Sequence, residues 1–238
     1  MACTTGMTCG GARETGRAPP VPLRAMTFQH MPLPRLAATL RALPPSCGPV
    51  RLIAVDGHAG SGKSTFAAKL AEALGQAPVL HLDDLASHDA LFGWTARLRE
   101  QVIDPLSRGE SARYEPYDWN ARRFCPPRAL TPAPVVLMEG VGAGRRAVRP
   151  FLARLFWMDT PEEVSWERGR RRDGPAQSGF WDGWIRAERA HFADDPSRPF
   201  AQTLVRECPE GYEARQMPPG TGLPTPSVTQ REGPSAAR

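Results

Sequence analysis

Apolar residues in this chain fall into short blocks separated by glycine, proline and charged stretches, and the period within each block indicates what it builds. Leu33, Leu36, Ala37 and Leu40 recur at helical spacing until Pro44-Pro45 closes the segment. Arg51 to Asp56 instead carries an unbroken apolar run, Leu52-Ile53-Ala54-Val55, as a strand buried on both faces does. Phe66, Leu70, Ala71 and Leu74 return to helical spacing over 64–74, with Gly75 as the stop. A second strand over 78–82 runs into Asp83-Asp84. Beyond it the pattern predicts a helix over 95–107, strands over 134–138 and 154–158, helices over 161–173 and 180–192, and a last strand over 203–208. Strands alternating with helices predict an α/β fold, a parallel sheet with helices on both faces.

The flanks lack any such period. Residues 1–30 mix Thr, Gly, Ala, Pro and Arg, and residues 209–238 are rich in Pro, Gly, Ser and Thr. Both read as disordered extensions of a domain over 31–208, and 26 prolines with 22 glycines in 238 residues fit a chain with such tails. The net charge of +5 lies mostly outside the domain: residues 1–49 hold five Arg against one Glu, whereas residues 50–208 hold 22 basic against 21 acidic side chains. A nearly neutral domain offers no basic face to nucleic acid. No stretch reaches the roughly eighteen apolar residues of a membrane helix. Arg13, Glu14, Arg17 and Arg24, without an apolar block, do not form a secretory signal. Five scattered cysteines show neither zinc nor disulfide spacing. The expectation is a cytoplasmic protein with no nucleic-acid or membrane partner; its oligomeric state is open.

Chemistry enters at Gly57-His58-Ala59-Gly60-Ser61-Gly62-Lys63-Ser64, which fits G-x-x-x-x-G-K-[ST] between a predicted strand and a predicted helix. Glycines let successive backbone N–H groups turn inward around a phosphate, and the helix that follows aims its positive end at the anion. Lys63 is one of only two lysines in the chain. The expected cofactors are ATP, held by residues 57 to 65 with Thr65 as the last, and Mg²⁺, held by the Ser64 hydroxyl and the Glu139 carboxylate. Asp83 and Asp84 end the second strand and Glu139 ends the third, so all three stand at the carboxyl edge where open α/β sheets bind ligands. One of the two aspartates could accept a proton from an acceptor hydroxyl, or simply cap the next segment. Arg168 and Arg172 share one face of the arginine-rich helix Glu167-Arg168-Gly169-Arg170-Arg171-Arg172. Trp181, Trp184, Ile185, Glu188 and Phe192 follow helical spacing and are read as packing. His58, His81 and His191 show no partner pattern and receive no catalytic role.

Taken in order, these motifs make the chain resemble the uridine kinase and phosphoribulokinase-like group of P-loop kinases. The resemblance covers about 50–208 and rests on Val55-Asp56-Gly57 to Ser64, Leu82-Asp83-Asp84, Tyr117-Asp118-Trp119 before Arg122-Arg123, Val136 to Val141, and Asp159-Thr160 before the arginine-rich helix. It implies a P-loop NTPase fold with a small helical lid at about 168–192 and transfer of the ATP γ-phosphoryl group to a hydroxyl of a nucleoside or related metabolite. It makes Asp83 the acceptor-activating base, puts Lys63, Arg168 and Arg172 on the transferring phosphoryl group, and assigns Asp84, Tyr117, Asp118, Arg122 and Glu139 to the acceptor side. Leu85-Ala86 and Arg122 depart from the uridine kinase pattern, which has aromatic residues and a histidine there, so the acceptor stays open. The other class compatible with the motif is a P-loop protein that binds or hydrolyses NTP as a switch or accessory factor, without a small-molecule acceptor.

Overall fold

The unbroken apolar run Leu52 to Val55 needs cover on both faces, and the fold supplies it by placing that strand at the centre of a seven-stranded sheet. A computed structural model describes residues 27–218; the disorder expected for 1–26 and 219–238 lies outside the described residues. In chain order the elements are β1 (Gln29–His30), α1 (Leu33–Arg41), β2 (Arg51–Asp56), α2 (Lys63–Ala73) and β3 (Val79–His81). Next come α3 (Thr95–Leu98), a π-helical stretch Arg99–Ile103, α4 (Asp104–Ser107), β4 (Ala112–Tyr114), β5 (Tyr117–Asp118), β6 (Arg123–Phe124) and β7 (Arg128–Leu130). The chain continues through β8 (Val135–Glu139), β9 (Leu152–Met158), α5 (Glu162–Asp173), α6 (Ser178–Asp194), β10 (Thr203–Cys208) and β11 (Gly211–Gln216).

The sheet order is β1-β11-β10-β9-β2-β8-β3, and the five strands from β10 to β3 run parallel. Alternate residues of β2 feed two cores. Ile53 and Val55 pack with Leu40 of α1 and Phe66 and Leu70 of α2, while Leu52 and Ala54 pack with Leu98, Val102 and Leu106 on the opposite face. The chain leaves β2 for β3, returns through β8 between them, and then crosses to β9 on the other side of β2. This reversal opens a crevice at the carboxyl ends of β2, β3 and β8, where a ligand meets loops rather than packed side chains.

The described residues depart from the sequence expectations in three places. Residues 29–30 and 211–216, expected as parts of disordered tails, form antiparallel edge strands. Their sequence conceals the strand because one residue does most of the burying. Tyr212 is buried with its ring 5.0 Å from that of Phe66, while Glu213 pairs with Arg206 at the surface. Residues 112–130 form two small ladders, β4 with β7 and β5 with β6. The second strand stops at His81, and Leu82–Asp84 turns as one 3₁₀ turn, which sends the neighbouring carboxylates of Asp83 and Asp84 to different partners.

Candidate active site

Asp56, the last residue of β2, is fully buried and accepts hydrogen bonds from the backbone N–H groups of Gly57 (2.7 Å), Gly142 (2.9 Å) and Gly144 (2.8 Å). A buried carboxylate with three donors is satisfied, and here it fixes the start of the 57–64 loop to the segment after β8. Gly60 sits at φ +83°, and a Cβ there would lie 2.0 Å from the Ser165 carbonyl oxygen. The loop therefore rests directly on α5, and only glycine permits that approach. Lys63 opens α2, is 7% exposed, and donates from Nζ to the His58 carbonyl at 2.9 Å.

Beside the start of α2 lies a cavity of about 250 Å³ lined by Gly60, Gly62, Lys63, Ser64, Thr65 and Ala59 of the loop, and by Asp83, Glu139, Arg168 and Arg172 facing them. Of the loop residues expected around the nucleotide, Gly57, His58 and Ser61 do not line it. The Glu139 carboxylate is buried; its Oε1 accepts from Ser64 Oγ at 3.0 Å and meets His81 Nδ1 at 2.6 Å. Burial pushes the Glu139 carboxyl up, but His81, Lys63 and Ser64 together hold it below the ordinary range. The hydrogen bond to Glu139 in turn raises the His81 imidazole. Ser64, Glu139 and Asp83 thus present hydroxyl and carboxylate oxygens, hard donors of the kind Mg²⁺ takes.

A second cavity, of about 390 Å³, adjoins the first. Its walls are His88, Trp119, Phe180 and Trp181, with Asn120 and Gln177 as neutral polar groups. Asp83, Arg172, Ala59 and Trp184 line both cavities, so one carboxylate and one guanidinium stand where the two spaces meet. The surrounding protein, then the Glu139 charge, raises the Asp83 carboxyl above the ordinary aspartate value; Lys63 and His81 oppose this. Arg172 grips Asp173 with Nε (2.7 Å) and an Nη (3.1 Å), and Asp173 also accepts from Trp181 Nε1 at 3.1 Å. That chain of bonds orients both Arg172 and the tryptophan. Arg168 has no ion pair among the described residues, whereas Arg170 binds Asp182 and Arg171 binds Glu167 at the surface.

Four residues assigned to the acceptor side line neither cavity. Asp84 turns away to accept from the Tyr114 hydroxyl at 3.3 Å, with Arg128 3.9 Å off. Asp118 closes its own turn by accepting from the N–H groups of Asn120 and Ala121. Arg122 holds a left-handed backbone, φ +53°, in the exposed connection between β5 and β6. Tyr117 lies behind the wall, its hydroxyl 3.0 Å from His88 Nδ1. The wall residues His88, Asn120 and Gln177 escaped the sequence reading because the loops that carry them have no periodic pattern, whereas the sequence marks Trp119 only as part of the Tyr117-Asp118-Trp119 segment and Phe180, in the first turn of α6, only as part of a helix. Trp181 and Trp184 both pack and line the cavities.

The histidines also have partners that sequence spacing could not reveal. His81 meets Glu139 as described, and His58 Nδ1 lies 2.7 Å from Glu188 Oε1, a pair separated by 130 residues. The signal for Glu188 was present in the pattern: it is the one acid in the stripe of Trp181, Trp184, Ile185 and Phe192.

No family model matches the chain. In sequence it is 22% identical over 179 residues to uridine kinases of Borrelia duttonii (strain Ly) and Borrelia recurrentis (strain A1), a match that covers 66% of this chain and 87% of each relative. The likeness to uridine kinases thus spans about two thirds of the chain. Among solved structures it is similar to a possible uridine kinase from Bacillus stearothermophilus, with 21% identity, a TM-score of 0.47, and coverage of 59% of this chain and 86% of that one. It is likewise similar to a provisional fructose transport system kinase from Silicibacter sp. TM1040, with 21% identity, a TM-score of 0.46, and coverage of 60% and 82%.

Proposed function

We propose that this protein is a small-molecule kinase that transfers the γ-phosphoryl group of ATP to a hydroxyl of a nucleoside or a related metabolite. The observation that carries the reading is the position of Asp83 and Arg172 on both cavities at once. A phosphate-binding space opening directly onto a second, aromatic-walled space is what a transfer between two bound molecules requires, and a protein that only binds or hydrolyses NTP has no use for the second.

ATP with Mg²⁺ supplies the transferable phosphoryl group and offsets its charge. The amides around Gly60 and Gly62, the start of α2 and Lys63 hold the phosphates. Ser64 and Glu139 are the residues that would hold the metal ion. Asp83 accepts the proton of the attacking hydroxyl, and its raised pKa brings it closer to the basicity that task rewards. Arg168 and Arg172 neutralise charge spreading over the phosphoryl oxygens, and α5 with α6 acts as the lid that keeps water out. In the second cavity Trp119 and Phe180 offer flat apolar faces, and Asn120 and Gln177 offer both donors and acceptors, a combination suited to a planar, uncharged heterocycle. Because Arg122 lies outside this wall, it supplies no argument for an acidic acceptor. No helix among the described residues is long and apolar enough to cross a membrane; with its metabolite acceptor, the enzyme belongs in the cytoplasm.

The test is an acceptor screen with coupled detection of ADP across nucleosides, sugars and pantothenate-like alcohols. ADP release that depends on one acceptor class is the expected result. Slow release indifferent to every acceptor would overturn the proposal in favour of an NTP-binding switch or accessory factor.

A further inference from the structure

Glu188 lies on α6, is wholly shielded from solvent, and has four donors around one carboxylate. Oε1 meets His58 Nδ1 at 2.7 Å and accepts from Trp166 Nε1 at 3.1 Å. Oε2 accepts from Trp184 Nε1 at 2.7 Å and from the Ala59 backbone N–H at 3.2 Å. Those partners come from the phosphate loop, from α5 and from α6 itself. Two indoles sharing one buried carboxylate is a costly arrangement to build. A carboxylate left in such a place without donors would cost several kcal/mol, so the partners are bound to move together.

The rest of the contact is equally close. Ser165 and Gly169 of α5 sit under Gly60 so tightly that a methyl group would not fit, and the Thr160 hydroxyl reaches the Ser61 carbonyl at 3.4 Å. Trp184, oriented by Glu188, lines both cavities. Whatever fixes Glu188 therefore fixes the loop that cradles phosphate and the wall beside the acceptor.

We infer that Glu188 is a positioning residue that latches α5 and α6 onto the phosphate loop, so that the loop is shaped before nucleotide arrives. Glu188 touches neither nucleotide nor acceptor; it acts through His58, Ala59 and Trp184. The inference deepens the kinase reading, in that it names the residue tying the lid to the nucleotide site, but the latch itself is a property of the protein free of ligand.

The experiment is hydrogen–deuterium exchange on the full-length protein, wild type against Glu188→Gln, combined with calorimetric titration of ATP in the presence of Mg²⁺. Glutamine keeps the shape but loses the charge and one acceptor oxygen. The expected result is exchange faster by about tenfold or more, in both the phosphate-loop peptide around Ala59 and the α5 peptide around Trp166, with β8 unchanged. ATP affinity should fall by about tenfold, since loop ordering is then charged against binding. Faster exchange confined to α6, or unchanged ATP affinity, would show that Glu188 only stabilises its own helix and would overturn the inference. If Glu188→Gln loosens β8 as well, Trp184→Phe replaces it, removing one donor while keeping an aromatic ring in the cluster. The same two peptides should then loosen to a smaller degree, and loss of protection in α6 alone would again overturn the latch. Neither readout requires turnover, so an acceptor screen that fails while the exchange pattern holds sinks the kinase reading and leaves the latch standing.

Discussion

Asp83 and Asp84 are chemically identical and adjacent in sequence, yet the 3₁₀ turn at Leu82–Asp84 gives them opposite surroundings, and this makes a sharp pair of substitutions. Asp83→Asn removes the proton acceptor at the junction of the two cavities while preserving its size. A positioned general base contributes roughly 10²–10⁴ in rate, about 3–5 kcal/mol of transition-state stabilisation, and turnover should fall by that factor. ATP affinity should stay within a few-fold, because the phosphate loop and Lys63 supply it and the substitution takes a negative charge away from the phosphates. Asp84→Asn breaks only the contacts to the Tyr114 hydroxyl and Arg128. It should cost about 1 kcal/mol of stability and leave turnover within about threefold. Because the surrounding protein and the Glu139 charge raise the Asp83 carboxyl, the acid limb of the wild-type rate profile should sit at higher pH than an ordinary aspartate would give. The assays are steady-state ADP release over pH, calorimetric ATP titration and thermal melts. An Asp83→Asn enzyme with near-normal turnover, or an inactive Asp84→Asn enzyme, would refute the reasoning.

Lys63→Ala should abolish phosphoryl transfer, with a melting temperature within a few degrees of wild type, since the lysine fills no apolar core; normal ATP turnover by the folded variant would exclude the loop as the nucleotide site. Gly169→Ala would place a methyl group 2.2 Å from the Trp181 ring. The displaced ring should cost about 1–3 kcal/mol in thermal or urea unfolding and raise the acceptor KM more than the ATP KM. Tyr212→Ala, at the buried centre of β11, should destabilise by about 3–5 kcal/mol in urea unfolding, whereas a segment serving only as a tail would show no effect. The His81–Glu139 pair predicts a window of added stability. The contribution of Glu139, whose folded pKa is lowered, is lost as pH falls below about 4.5, and that of His81, whose folded pKa is raised, is lost as pH rises above about 6.5. His81→Gln should flatten the alkaline side of the melting-temperature profile and also weaken the acid side, because the bond to His81 is the strongest influence holding Glu139 low.

The parts of the fold that show in the sequence are those in which one physical demand acts alone. β2 reads as a strand because two cores claim its alternate residues, and the 57–64 loop reads as a phosphate cradle because glycines are required in a fixed register. β11 does not, because a six-residue edge strand can be held by backbone pairing and one buried tyrosine while its other side chains remain polar. The acceptor cavity is harder still. Its residues arrive from the segments after β3 and after β5, from the end of α5 and from α6 with the turn before it, and their meeting is set by long-range packing that leaves no spacing to read. Asp118 illustrates the hazard from the opposite side: an aspartate in a Tyr-Asp-Trp context suggested a contact with the acceptor, whereas its carboxylate satisfies two backbone donors in its own turn.

Glu188 shows where a sequence stripe and a structural need disagree. Helical spacing placed it with Trp181, Trp184 and Phe192 on a face that packs, and it does pack. A charge on that face cannot be incidental, because burying a carboxylate without donors opposes folding by more than a single apolar contact returns. The fold answers with two indole N–H groups, one imidazole and one backbone amide, and each of these has its own reason to stay. The strongly polar α5 buries little apart from Ser165, Trp166 and Gly169, so its seat on the phosphate loop depends on the contact with Gly60 and on Trp166 reaching Glu188. The remaining ties of α5, Arg170 to Asp182, Asp173 to Trp181 and Glu162 to Arg189, run to α6, so a change at Glu188 would release the two helices from the loop that the phosphates occupy without parting one helix from the other.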